Sequence, residues 1–164
     1  MILSIFHMKT REATSADISA IAQLFQRSVR WATVREYDEA QREAWAARGV
    51  DATRWQNRIT SQYFLLAERA EQLLGFGSID SQGYLDVLYV HPAHQGEGVA
   101  SQLLNALESW ALNQKIKHIR TDASLTARPF FTRKGYQSVA EQTHRINGTA
   151  LTNYRMEKPC ERSS

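Results

Sequence analysis

The sequence predicts an α/β (α+β) chain in which one mixed sheet is flanked by helices, and three observations carry that prediction. Seven runs of apolar and β-branched residues have strand length and are bounded by Gly, Asn, Ser or polar turns. Between them stand segments with apolar residues at 3.6-residue spacing, as at Ile18, Ile21, Ala22, Phe25 and Val29, and again at Val99, Leu103, Leu107 and Trp110. The 164 residues, 43% apolar and 23% charged, suit one domain large enough for a real core, with no repeat or linker to divide it.

Taken in order, Met1–Phe6 is apolar but too short for a signal-peptide core with a basic start, so residues 1–7 read as a dispensable leader from an upstream start codon. The domain is expected over residues 8–158 and a polar tail over 159–164. Met8 to Thr14 reads as the first strand. Thr14-x-x-Asp17 is a helix-start signal for the first amphipathic helix. A second helix is expected from Asp38 to Ala47, carrying Trp45 and closed by Gly49, followed by a short segment from Thr53 to Ile59 with Trp55. Tyr63–Ala67 and Leu74–Ile79 read as adjacent strands joined by the turn Arg69–Gln72, and Ser81-Gln-Gly83 turns the chain into a third, Tyr84–Val90. A helix from Val99 to about Gln114 precedes a strand at Lys117–Ala123. Ser124 to Tyr136 reads as a helix with Pro129 near its first turn and Gly135 as its stop. Gln137–Ile146 and Thr149–Met156 are strands hinged at Asn147-Gly148, a strong hairpin signal.

A formal charge of +3 with scattered basic residues predicts neither nucleic-acid nor membrane binding, and it suits an anionic ligand. No run approaches the ~20 apolar residues of a membrane span. The lone Cys160 can form no internal disulfide and reads as a bystander, so a cytoplasmic protein without a metal is expected.

The chemistry is concentrated in His91-Pro-Ala-His-Gln-Gly-Glu-Gly-Val-Ala-Ser101, between a strand and a helix. The first turn of a helix offers N–H groups without intrahelical partners at the positive end of the macrodipole, and Gly96 and Gly98 remove Cβ atoms that would keep an anion away. The loop therefore reads as a phosphate cradle. A P-loop would need Gly-Lys-Ser/Thr where Gly98-Val99-Ala100 stands, and a dinucleotide fingerprint would need a third Gly where Ser101 stands.

What remains, Gln95-x-x-Gly98-x-Ala100 entered from Val90-His91-Pro92, resembles the Gln/Arg-x-x-Gly-x-Gly/Ala signature of the GCN5-related N-acetyltransferases (GNAT family). Ala127, Phe130, Gly135 and Tyr136 are similar to a second block of that family, with Ser124 where Asn is usual and Phe131 where a tyrosine often protonates the departing thiolate. Thr121-Asp-Ala-Ser124 and Gly148-x-x-Leu151-x-Asn153 resemble a small bacterial branch that includes YafP-like proteins and shares the phenylalanine. The resemblance spans about Lys9 to Lys158. It implies the acyl-CoA N-acyltransferase fold, a mostly antiparallel seven-stranded sheet, and acetyl-coenzyme A as cofactor. It further implies cofactor contacts from Leu88, Tyr89, Val90, Gln95, Gly96, Gly98, Val99, Ala100, Ser101, Ser124, Ala127, Phe130 and Phe131.

The implied reaction is direct acetyl transfer to a primary amine of a small molecule or peptide in a ternary complex. A protonated amine cannot attack, so a base must take its proton, directly or through water. Asp86 is the one carboxylate on the Tyr84–Val90 strand, where strict alternation would put Tyr84, Asp86, Leu88 and Val90 on one face. It is the candidate base; its alternative is an exposed carboxylate or a partner for an arginine. Oxyanion stabilisation is implied from a backbone N–H near Tyr89-Val90. A thiol pKa of ~8.5 makes thiolate departure cost only ~1.4 kcal/mol near a pH of about 7.5, so Phe131 is compatible with turnover, and Tyr84, Tyr89, Tyr136 or water could stand in as acid. Tyr37, Trp45 and Trp55 either pack a core corner or line the acceptor pocket. A homodimer is compatible with the sequence. Two other readings share these residues: a coenzyme A-binding regulatory module of the same fold, and an unrelated nucleotide-binding protein.

Overall fold

The computed structural model describes residues 7–161, so six of the seven residues of the expected leader lie outside the described residues. Seven strands run β1 Lys9–Glu12, β2 Tyr63–Arg69, β3 Gln72–Ile79, β4 Tyr84–Val90, β5 His118–Ser124, β6 Gln137–Ile146 and β7 Thr149–Pro159. Five α-helices intervene: α1 Ile18–Ala32, α2 Glu39–Ala46, α3 Ala52–Ser61, α4 Val99–Asn113 and α5 Arg128–Arg133. The strands form one sheet in the order β1-β2-β3-β4-β5-β7-β6, and only the β4–β5 pair is parallel. This is the expected mixed, mostly antiparallel sheet, including the β2–β3–β4 meander and the β6–β7 hairpin.

The helix starts follow from local hydrogen bonds. The Thr14 N–H donates to the Asp17 carboxylate at 2.8 Å, which sets the short 3-10 turn leading into α1. Asp38 and Gln41 form a reciprocal capping box at the start of α2. Two cores then form on opposite faces of the sheet. Ile21, Leu24, Phe25 and Val29 of α1 pack with Trp55 of α3 against Phe64, Leu66, Phe76 and Val87. On the other face Val99, Leu103, Leu104 and Leu107 of α4 pack against Leu65, Leu74, Leu85, Ile119 and Met156. Full burial of each Leu or Phe contributes ~1.5–3 kcal/mol. The α4 layer sits tightly because Gly75 has no side chain: a Cβ there would lie 2.8 Å from the Tyr89 carbonyl oxygen and 2.9 Å from Val99 Cγ1.

Four expectations are corrected. The Thr53–Ile59 segment is a full third helix, α3, started by the Asp51 carboxylate accepting the Thr53 N–H. The helix expected from Ser124 is shorter, because Ser124 still pairs with Asn153 in the sheet and its hydroxyl accepts the Ala127 N–H, so α5 begins only at Arg128. The ordered chain continues past Lys158: Pro159 pairs with His118, and the Cys160 N–H donates to Lys117. The fourth concerns β4. Leu85 opposes Ile79 and Val87 opposes Ser78, which leaves Asp86 as the extra residue of a β-bulge. Side-chain parity changes there. Leu85, Leu88 and Val90 belong to the α4 face, while Val87 and Tyr89 belong to the α1 face, so Tyr84, Asp86, Leu88 and Val90 do not share one face.

Candidate active site

The site begins where β4 and β5 part. Only Tyr84 with Arg120 and Leu85 with Thr121 are in register, braced by the Thr121 hydroxyl donating to the Leu85 carbonyl at 2.9 Å. Beyond them β4 continues to Val90 without a neighbour on that side. Successive peptide groups of a strand point to opposite sides, and the His91 N–H bonds Leu74 on β3, so the Val90 and Leu88 N–H groups face the gap.

Two cavities meet at this gap. One, of about 730 Å³, runs along the cradle between the N-terminus of α4 and the start of α5. All thirteen residues expected to contact the cofactor line it, from Leu88, Tyr89 and Val90 through Gln95–Ser101 to Ser124, Ala127, Phe130 and Phe131. Gly96 and Gly98 have φ of +78° and +83°, which L side chains rarely adopt, and a Cβ on either would meet no protein atom within 4 Å. Gly98 is the N-cap of α4, and the first N–H bonded back to the Gly98 carbonyl is that of Gln102, so those of Val99, Ala100 and Ser101 precede the helical ladder. These features fit a diphosphate. Gln95 shapes the loop, its side-chain amide donating to the Val90 carbonyl at 3.1 Å. The one acid in the cradle, Glu97, is answered by Arg69 at 3.0 Å and His94 at 2.7 Å, which hold its carboxyl below the usual range.

The second cavity, of about 230 Å³, lies on the other side of the gap between α2, α3 and the β6–β7 hairpin. Trp45, Leu88, Tyr89, Ser124, Ala127 and Phe131 line both cavities and form the throat between them. Asp86 faces the second cavity. Its Oδ2 accepts from Arg58 Nε at 2.8 Å and Gln62 Nε2 at 2.9 Å, and the Gln62 carbonyl in turn accepts from the Ser78 hydroxyl at 2.6 Å. Asp86 Oδ1 has no protein partner among the described residues. Asp86 is thus both the partner of an arginine and a wall of the cavity.

The remaining expected residues separate. Tyr84 does not line the cavity; its hydroxyl donates to Asp122 Oδ2 at 2.8 Å, and burial, then that bond, pushes its pKa up. Tyr84, expected to be catalytic, thus sits upstream of the bulge beside the paired segment of β4 and β5 and reaches the cavity wall only through Asp122. Nor does Asp86 stand alone, since Asp122 of β5 lines the same cavity, bonded by Tyr84 and by Gln142 at 2.7 Å. Tyr136 is buried behind Phe131, with ring centroids 5.1 Å apart, lines neither cavity, and has no hydrogen-bond partner for its hydroxyl among the described residues. Tyr89 is the one phenol in the throat, with its pKa raised by burial.

All three aromatic residues expected at the acceptor pocket, Tyr37, Trp45 and Trp55, line the second cavity, and Trp45 lines the first as well. Tyr37 and Trp55 are also tied into the fold. The Tyr37 hydroxyl donates to the Thr152 carbonyl at 2.7 Å and accepts the Leu125 N–H at 2.9 Å, tying α2 to the β6–β7 layer. Trp55 is core, its indole N–H donating to the Gly49 carbonyl at 3.0 Å. Sequence reasoning missed Arg48, Arg54, Arg58, Asp122 and His144, which also line the second cavity. The spacing of Arg54 and Arg58 on a short helix beside two tryptophans was the available signal. Among the described residues there is no group of three or more His, Cys, Asp or Glu side chains able to hold a metal ion, and no helix long and apolar enough to cross a membrane.

Comparison with known proteins gives the same picture. The profile described as "Acetyltransferase (GNAT) domain" matches residues 33–158, which leaves α1 outside the match. The uncharacterized N-acetyltransferase YafP of Escherichia coli K12 is 31% identical over 150 residues, covering 92% of this chain and 95% of that protein. Among solved structures, a GCN5-related N-acetyltransferase from Rhodopseudomonas palustris is 33% identical with a TM-score of 0.89, covering 92% of this chain and 94% of that one. At 19% identity, the PaiA N-acetyltransferase of Thermoplasma acidophilum, solved in complex with coenzyme A, shares the fold with a TM-score of 0.78, over 93% of this chain and 99% of that one. The cradle at the start of α4, the parted strands and these likenesses together place the chain in the GCN5-related N-acetyltransferase family.

Proposed function

We propose that the protein transfers the acetyl group of acetyl-coenzyme A to a primary amine by direct attack in a ternary complex, with the cofactor in the larger cavity and the acceptor in the smaller. The observation that carries this reading is that two cavities of different character open onto one throat where β4 and β5 part. Acetyl-coenzyme A supplies an activated thioester and a diphosphate that the α4 N-terminus is built to hold.

The chain's own residues then have distinct tasks. Gly96 and Gly98 leave room for the phosphates, and the N–H groups of Val99–Ser101 donate to them. The Leu88 and Val90 N–H groups face the gap and supply donors where negative charge develops on the carbonyl oxygen. Asp86 is held by Arg58 and Gln62 through one oxygen, which leaves Oδ1 to orient the amine or a water that takes its proton. Phe131 contributes shape to the throat without a proton, and Tyr89 is the one phenol that lines both cavities. Cys160, half-buried and packed against the α4 core, is far in sequence and contact from the throat, so no covalent relay passes through it.

The test is calorimetric titration with acetyl-coenzyme A, followed by thiol release with a panel of primary amines. Saturable binding and amine-dependent thiol release are expected. Binding without release for any amine would favour the regulatory-module reading, and preferential binding of ATP or NAD would overturn the cofactor assignment.

A further inference from the structure

Resting on the acetyltransfer reading, we propose that the acceptor is a small amine carrying a carboxylate next to its amino group, such as an α-amino acid, held by Arg48 and Arg54. The smaller cavity is about 230 Å³, below the 300–1,000 Å³ of drug-sized sites, so it suits a compact molecule.

Its charges are unevenly answered. Three guanidinium groups, Arg48, Arg54 and Arg58, and two carboxylates, Asp86 and Asp122, line it. Arg58 is consumed by Asp86 at 2.8 Å. Asp122 is answered from its own side by the Tyr84 hydroxyl, the Gln142 amide and Arg155 at 3.7 Å. Arg48 and Arg54 make no ion pair or side-chain hydrogen bond among the described residues. Arg48 comes from the turn after α2 and Arg54 from the first turn of α3, one turn before Arg58 on the same helix face. A pair of planar, permanently charged forks at the mouth of a small cavity matches a carboxylate and repels a polycation such as a polyamine. The carboxylate on the arginines would leave the amine to point inward, toward Asp86 and the throat.

The experiment measures thiol release from acetyl-coenzyme A with matched pairs, the common L-α-amino acids against their amides, plus aminomethylphosphonate to distinguish a phosphonate from a carboxylate. The amide's amine is the less basic and so the more fully deprotonated, which biases the comparison against the proposal. Acids should nevertheless exceed their amides in kcat/KM by tenfold or more. Arg48→Ala combined with Arg54→Ala, both at exposed positions, should raise KM for the acid at least tenfold, with kcat within a few-fold and calorimetric acetyl-coenzyme A affinity unchanged. Arg48→Glu with Arg54→Glu should invert the preference toward amides. Amides equal to or better than acids in the unmodified protein, an unaltered ratio in the double variants, a preference for the phosphonate, or no release from any member despite bound cofactor would each overturn the assignment while leaving cofactor binding intact. A protein that does not bind acetyl-coenzyme A would instead overturn the acetyltransfer reading and this inference with it.

Discussion

Gly98 and Gly148 form a matched pair that isolates what the cradle does. Gly98 has φ +83° and Gly148 φ +82°, and a Cβ on either would meet no protein atom within 4 Å. One caps α4 at the larger cavity; the other sits in the β6–β7 turn and lines neither cavity. Alanine at either position pays only the left-handed backbone penalty, ~1–2 kcal/mol. For a chain of this size that lowers Tm by about 2–8 °C, to a similar extent in both variants. The ligand separates them. At position 98 the methyl enters the space assigned to the diphosphate, so Gly98→Ala should weaken acetyl-coenzyme A binding at least tenfold, ~1.4 kcal/mol, whereas Gly148→Ala should bind as the parent does. Calorimetry gives the affinities and thermal melts without ligand confirm the matched stability. If folded Gly98→Ala retains the parent affinity, or if both variants lose it equally, the diphosphate does not lie against the first turn of α4.

Asp86→Asn should lower kcat/KM about a hundredfold with acetyl-coenzyme A affinity unchanged, once an acceptor is in hand; a retained rate would give the proton to solvent or to Asp122. Phe131→Tyr should leave cofactor affinity within a few-fold and should not abolish turnover, and loss of binding in a titration would mean that the buried ring has no room for a hydroxyl beside Tyr136. Asp17 accepts two bonds from Arg11, at 2.8 and 2.9 Å, which hold its pKa below the ordinary value. A folded-state pKa below the unfolded one means that the contribution is present above about pH 4 and is lost as pH falls through the folded value. Asp17→Asn should therefore cost about 0.5–1 kcal/mol at pH 7, small because Arg11 is 44% exposed, and denaturant melts should show the gap closing below about pH 4. A gap that persists in strong acid would assign Asp17 a role other than its charge.

The cradle was legible because its signals are local: two glycines, a strand before and a helix after lie within a dozen residues, and backbone geometry there depends on nothing distant. The seven strands and the hairpin at Asn147-Gly148 were legible for the same reason. What alternation could not show was the bulge at Asp86, which no Gly or Pro marks and which arises from register with β3. One inserted residue reverses the parity of the rest of the strand, so Leu88 and Val90 pack toward the α4 core while Asp86 turns to Arg58 and Gln62. Asp122 and Arg48 were equally hidden, and Arg54 and Arg58 showed only a shared helix face. Each is unremarkable in its own segment, and only the folding of α3 and β5 around one gap gathers them. Tyr37 and Trp55 do both tasks at once, lining the smaller cavity while joining helices to the sheet.

The two paired positions between β4 and β5 also bear on how the molecule comes apart. The sheet is two antiparallel halves, β1–β4 and β5–β7–β6, joined along the backbone by two residue pairs and otherwise by side chains, among them the Tyr84 hydroxyl on Asp122, the Thr121 hydroxyl on the Leu85 carbonyl and the α4 core. Backbone hydrogen bonds propagate cooperativity along a sheet, and here they are interrupted at the centre instead of at an edge. The halves should therefore open as separate units, with amide exchange in the free protein resolving into two protection classes divided at this seam. A ligand lying in the seam touches both halves at once. It would merge the two classes into one, so that occupancy is read from exchange at strands it never contacts.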